Sequence, residues 1–212
     1  MNAETSLLVS DFLPLHGARR ATDADKHQPI AYRRARSMRL GPCMRLQFED
    51  ACTLRHQIGE VVRAERIGSA EGVLQEIAHY AHLLPARDQW KATLFIELPD
   101  AGERRRELPA LSVSAHHISL HVQGLPAVTA QANEDLADRH LTRPSATHFL
   151  RFQLPLAVRS ALLAGAPAAL ACTHERYAFA DEVPAGLLAR LRADLTGAQP
   201  QALDHGSSHV PA

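Results

Sequence analysis

Between Met38 and Phe48 apolar and polar residues alternate on both sides of a Gly41-Pro42 pair, and immediately afterwards the apolar spacing changes to that of a helix. Met38, Leu40, Met44, Leu46 and Phe48, set against Arg39, Arg45 and Gln47, predict an antiparallel hairpin with one face buried. Leu54, Ile58, Val61 and Val62 then share one side of a helix that begins near Thr53, a residue type suited to the N-cap. A hairpin running straight into a helix does not fit a strict strand–helix alternation, and this limits the architectures open to the chain.

The later segments keep to the same irregular order. Ser69 can cap a second helix with Val73, Leu74, Ile77 and Ala81 as its inner stripe, ending before Pro85. Residues 90–98 alternate as a strand and stop at Pro99-Asp100. A short, highly charged helix over 102–111 follows, carrying Glu103, Arg104, Arg105, Arg106 and Glu107. Residues 118–122, 127–131, 147–154 and 168–173 read as further strands, and 156–164 and 187–195 as helices. The expectation is an α+β fold, a mostly antiparallel sheet with packed helices in a single domain. Its boundaries fall at a partly ordered N-terminal arm over 1–36, the domain over 37–198 and a disordered tail over 199–212. With 46% hydrophobic residues in 212, the chain has enough apolar surface for a substantial core.

Charge and composition exclude several classes. Lysine plus arginine and aspartate plus glutamate both number 23, giving no net charge and no nucleic-acid footprint. The first residues lack the basic region of a secretory signal. The longest apolar stretch, 154–170, is interrupted by Pro155, Arg159, Gly165 and Pro167, so no membrane span is expected and the protein reads as cytoplasmic. Cys43, Cys52 and Cys172 form no CxxC pair and read as three buried thiols. GxGxxG, GxxxxGK[ST] and GxSxG are all missing, so no cofactor is expected.

The run from Phe48 to Ile67 carries the candidate site. On a helical wheel Glu65 falls in the same arc as the apolar residues, while Arg55, Arg63 and Arg66 share the opposite side. A carboxylate buried there would need a partner, because an unpaired buried charge costs several kcal/mol. With Glu49, Glu97 and His148, these residues make a candidate charged site: Glu49, Arg55, Arg63, Glu65, Arg66, Glu97 and His148. Three readings stand beside one another: a helix that frays before Glu65 with solvated arginines, a structural ion-pair network, and an anion site. His148 shares its strand face with Leu150 and Phe152, as a core histidine or a site histidine would. His79 and His82, and His116, His117 and His121, are the only groupings that suggest a metal, and none is accompanied by an HExxH motif.

FED-x-x-TLRHQI-x-E-x-x-RAERI at Phe48 to Ile67, WKATLFIELPD at Trp90 to Asp100 with ERRREL after it, NEDL at Asn133 to Leu136 and HFLRFQL at His148 to Leu154 resemble a bacterial family of proteins without assigned function. The resemblance covers most of Met38 to about Leu195 and leaves the N-terminal arm and the tail outside it. Members of that family are often encoded beside rubrerythrin-like proteins and iron-sulfur oxidoreductases related to heterodisulfide reductase subunits. The resemblance therefore implies a cofactor-free accessory protein that docks such a redox partner, with Arg55, Arg63, Arg66 and Arg104 to Arg106 as the charged surface. Two alternatives remain open: an enzyme or binding protein for a small anionic ligand that uses the arginine and glutamate cluster, and a histidine-based metal-binding protein.

Overall fold

The computed structural model describes residue 7 and residues 30–132 and 144–196, and the NEDL motif at Asn133 to Leu136 and the expected tail over 199–212 lie outside the described residues. Residues 30–35 form a helix, α1. The hairpin follows as β1 (Ser37–Leu40) and β2 (Met44–Phe48), paired so that Leu40 faces Met44 and Ser37 faces Gln47. The chain then makes α2 (Ala51–Ala64), α3 (Ala70–Ala81), β3 (Gln89–Ile96) and α4 (Ala101–Val113). A 3-10 turn leads into β4 (Ile118–Val122), β5 (Val128–Thr129), β6 (Gln131–Ala132) and β7 (Thr147–Gln153). Last come α5 (Leu156–Leu163), β8 (Ala168–His174), β9 (Tyr177–Glu182) and α6 (Ala185–Thr196).

The fold is α+β. Its strands form two antiparallel sheets, one in the order β1-β2-β3-β7-β6 and one in the order β5-β4-β8-β9. The segment read as one strand over 127–131 is divided between them. Val128–Thr129 pairs with β4 in the second sheet, and Gln131–Ala132 with β7 in the first. A strand that changes sheets in this way joins the two at a corner. β9 was not anticipated, because its residues from Ala178 onward are exposed and leave no apolar alternation to read.

One face of the first sheet is the core. Met38, Leu40, Met44, Leu46, Phe48, Trp90, Leu94, Leu150 and Phe152 belong to one buried cluster with Ile118, Leu120 and Leu170 of the second sheet and Val158, Leu162, Leu187 and Leu191 of α5 and α6. Trp90 donates its indole N–H to the Leu191 carbonyl at 3.1 Å, which fixes α6 to the sheet. The two sheets are also clasped at the hairpin turn. The Tyr177 hydroxyl donates to the Leu40 carbonyl at 2.7 Å and accepts from the Cys43 and Met44 amides, while the Gly41 amide donates to Asp181. Gly41 has φ +64 at this contact, and a Cβ there would lie 2.6 Å from a Phe179 ring carbon. Only glycine meets both demands without strain.

The opposite face of the first sheet carries α2 and α3. Ile58, Val62 and Val73 form a second, smaller buried cluster, with Leu7 packed against it. Residues 30–36 are likewise part of the packed structure, since Arg36 is 1% exposed. The expectation of a partly ordered arm ending at residue 36 gives way there. Val73 and Ile77 pack inward as read on α3, but Leu74 is 54% exposed and Ala81 is exposed, so the stripe is narrower than expected.

Candidate functional site

The structure separates the residues of the expected charged site. Glu49 and Glu97 extend opposite ends of the β2–β3 ladder: the Glu49 amide donates to the Lys91 carbonyl and the Glu97 amide to the Cys43 carbonyl. The six residue steps from Lys91 to Glu97 put these two positions about 20 Å apart at the usual strand rise of about 3.3 Å per residue. His148 lies on the core face, 3% exposed, with its Nε2 2.8 Å from the Ser145 carbonyl, so that nitrogen carries the proton and donates. It is a core histidine that ties the start of β7 in place. No shared cleft unites Glu49, Glu97 and His148.

Glu65 is not on the apolar arc of the helix, because α2 ends at Ala64 and Glu65 is its exposed C-cap. Arg66 follows with φ +56, the Ile67 amide donates to the Val62 carbonyl, and the Arg66 amide donates to the Arg63 carbonyl. This is a Schellman termination, completed by Ile67 packing against the cluster that contains Val62. Arg63 and Arg66 are exposed there, and Arg55 is half-buried at the other end of the helix. Of the readings offered for this run, the solvated one describes Glu65, Arg63 and Arg66.

The acidic pair at the head of α2 is structural. Asp50, not Thr53, is the N-cap: its carboxylate accepts from the Thr53 amide at 2.7 Å, and Thr53 closes a capping box. Glu49 is 2% exposed and is satisfied by neutral donors, Thr53 Oγ1 at 2.6 Å, Thr93 Oγ1 at 2.7 Å and Gln47 Nε2 at 3.2 Å. Arg36, the last residue of the segment expected to be a partly ordered arm, completes the network. Its guanidinium meets Asp194 of α6 at 2.5 Å, Asp50 at 3.2 Å and the Phe48 carbonyl at 3.1 Å. Desolvation opposes the Arg36 charge, but Asp50 and Asp194 outweigh it and hold the group protonated. For Asp194 burial prevails over the pairing with Arg36 and pushes its carboxyl above the ordinary range. Tyr32 donates to Asp50 at 2.5 Å, and burial pushes its own hydroxyl far up.

What the expected set does contain is Glu97, and the structure surrounds it with different arginines. Arg39, Arg45, Phe95 and Thr147 stand in register as one row across β1, β2, β3 and β7, on the face turned away from the main core. Two guanidinium-bearing residues therefore face each other directly across a strand pair, an arrangement that repels unless an anion lies between them. Glu97 supplies one anion: Oε1 is 2.6 Å from Arg45 Nε and Oε2 is 3.3 Å from Arg39 Nη1. Arg45 also lies flat on Phe95, with Cζ 4.4 Å from the ring centroid. Arg104 of α4 reaches the same place, its Nε and Nη2 donating to the Leu98 carbonyl at 3.1 and 2.7 Å. Together these residues line an open groove of about 630 Å³, with Pro42 and Pro99 on its rim. Among the described residues it holds three guanidiniums and one carboxylate.

The remaining candidates are dispersed. His79 is exposed against Tyr80, whereas His82 faces Phe149, with ring centroids 6.0 Å apart. His121 contacts Ser119 Oγ at 2.9 Å, and His117 pairs edge-on with His174, a contact the sequence did not suggest. Among the described residues no group of three or more His, Cys, Asp or Glu is placed to hold a metal. Only Cys172 is fully buried; Cys43 and Cys52 are half-buried, which corrects the expectation of three core thiols. Burial pushes all three thiols up, so none is an activated thiolate. No described helix is long and apolar enough to cross a membrane.

Comparison with known proteins agrees with this picture of a fold without a recognised activity. Residues 7–195 match the profile of a family described as protein of unknown function (DUF3501). The match begins well before Met38, so the N-terminal segment belongs to the family region and is not an appendage outside it. A crystal structure of a protein of unknown function from Burkholderia pseudomallei K96243 superposes with a TM-score of 0.76 at 35% identity, over 80% of this chain and 88% of that one. No curated protein matches the chain.

Proposed function

The chain belongs to the DUF3501 family of proteins of unknown function, and on that premise we propose that it is a cytoplasmic binding protein whose groove at Arg39, Arg45 and Arg104 receives an anionic group. The observation that carries this reading is the unequal charge of the groove: among the described lining residues three guanidiniums are balanced by Glu97 alone. Apart from Glu97 the described lining residues offer no acid or base, and Glu97 is already engaged with two arginines, which favours binding over catalysis. The cytoplasmic assignment is supported by three cysteines that remain free thiols.

The partner we propose is an iron-sulfur or rubrerythrin-type oxidoreductase that presents an acidic surface and carries the cofactor itself. The family resemblance of the Phe48 to Ile67, Trp90 to Asp100 and His148 to Leu154 motifs supports that choice of partner. The docking surface differs from the one the sequence suggested, because α2 leaves the sheet at the Phe48 end of β2 whereas α4 begins beyond the Ile96 end of β3. Of the arginines expected there Arg104 lines the groove, whereas Arg55 lies on α2, which starts at the other end.

The test is copurification from the native host under reducing, anaerobic lysis, comparing wild type with R39E/R45E/R104E. Wild type is expected to retain a redox partner that elutes as salt is raised, and the charge-reversed variant to retain at least about tenfold less. Recovery of the same partner by both forms would refute the groove as the docking site. Recovery of no redox partner by wild type would refute the choice of partner.

A further inference from the structure

We infer that Glu97 is a built-in competitor: it occupies a carboxylate seat between Arg39 and Arg45 that the ligand's own carboxylate takes over on binding. This deepens the reading above and rests on the groove being the binding surface. Glu97 uses each guanidinium incompletely. Arg45 gives it only Nε, at 2.6 Å, and Arg39 only Nη1, at 3.3 Å, the other Arg39 terminal nitrogen donating to the Pro42 carbonyl. A well-matched arginine–carboxylate pair uses two parallel N–H donors of one guanidinium.

Donors are therefore left over. Among the described residues the terminal nitrogens of Arg45 have no hydrogen-bond partner, and neither has Nη1 of Arg104. Stacking on Phe95 and the double contact with Leu98 hold these two side chains in place, so their spare donors are already oriented. The ligand class follows from the occupant. A planar carboxylate already bridges the two arginines, and the rim beside it is apolar, built of Pro42, Phe95 and Pro99. The seat suits a carboxylate attached to an apolar body, either a small acid or an acidic side chain on a protein.

Displacing Glu97 breaks its contacts with both Arg45 and Arg39, and that cost is subtracted from the affinity of any incoming carboxylate. Vacating the seat permanently should then strengthen binding of an outside carboxylate. The experiment titrates wild type, E97A, E103A and R45M with benzoate, with a hexaglutamate peptide and with inorganic phosphate, following binding by calorimetry and folding by thermal melts. Glu103 lies in the first turn of α4, close enough to act on Cys43, so its removal changes the local charge equally without emptying the seat. E97A is expected to bind benzoate or the peptide at least about tenfold more tightly than wild type, E103A less than about twofold more tightly, and R45M not measurably. Whichever of benzoate and the peptide gains more identifies a free acid or a protein side chain as the source.

Equal gains in E97A and E103A would reduce the effect to general field and overturn the inference while leaving the groove as an anion site. A larger E97A gain for phosphate than for either carboxylate would overturn the ligand class. Binding of no probe by any folded variant would overturn this inference and the groove as an anion site together. Should R45M fail to fold, R39Q removes the other side of the seat and is expected to weaken the E97A gain at least about fivefold.

Discussion

Replacing Arg36 by methionine tests whether the N-terminal segment is part of the folded unit. The guanidinium lies between three elements, meeting Asp50 at the head of α2, Asp194 on α6 and the Phe48 carbonyl at the end of β2. Its partners are themselves mostly buried, with side-chain exposures of 13% for Asp50 and 16% for Asp194. Removing one side of such a pair leaves uncompensated charge behind, at a cost of about 3–5 kcal/mol. For a domain of this size that corresponds to a fall in Tm of about 6–20 °C, measurable by circular dichroism. R36M/D194L, which removes the stranded carboxylate as well, should recover at least about half of the loss. The pH dependence has a definite sign. Burial raises the Asp194 carboxyl, and losing Arg36 raises it further, so the folded state binds that proton more tightly than the unfolded chain does. Stability from such a group is full below its unfolded pKa and is lost as pH rises through the folded value, so the R36M deficit should be smaller at pH 4 than at pH 7. A Tm loss below about 3 °C at pH 7 would refute the reasoning and return residues 30–36 to the partly ordered arm expected from the sequence.

Three further changes probe other elements. Gly41→Ala places a methyl 2.6 Å from Phe179 and 2.7 Å from the Tyr177 hydroxyl at φ +64, and should cost about 2–4 kcal/mol in urea unfolding, from left-handed strain plus overpacking. Arg66→Gly, at φ +56 in the α2 termination, should instead stabilise by about 0.5–1 kcal/mol in the same assay, since it relieves left-handed strain without removing a buried contact. Burial, with Arg33 and Arg55 nearby, lowers the His56 pKa. The unfolded chain then takes up that proton first, stability falls as pH drops below about 6.5, and H56Q should flatten the pH 5–7 melting profile relative to wild type.

The sequence revealed the hairpin, both helices after it and most strands because each carries its own period. Met38, Leu40, Met44, Leu46 and Phe48 alternate, and every one is buried. It did not reveal β9, which keeps only Tyr177 buried, or the packing of Arg36, whose partner Asp194 is 158 residues away. No local pattern reports an ion pair of that separation. Glu97 was selected but its company was not. Arg39 and Arg45 were read simply as the polar side of a hairpin with no register assigned, and the three-residue connection over 41–43 is what sets them opposite each other. Two facing arginines on an exposed sheet surface are the signal that could have located the groove.

The charges between Phe48 and Ile67 look systematic for a reason other than ligand binding. Glu49 and Asp50 are used up at the head of α2, one by Thr53, Thr93 and Gln47, the other by the helix cap, Tyr32 and Arg36. Arg66 and Glu65 belong to the termination at the far end, where the helical wheel no longer applies because the backbone has left the helix. A carboxylate that meets only internal donors is accounted for by the fold, so it makes no demand for a ligand. The groove is the opposite case: its like charges are brought face to face by the sheet register and are only partly neutralised by Glu97. Unequal charge left at a surface after the internal donors and acceptors are matched separates the groove at Glu97 from the network that holds the chain together, and the proposed binding role rests on that difference.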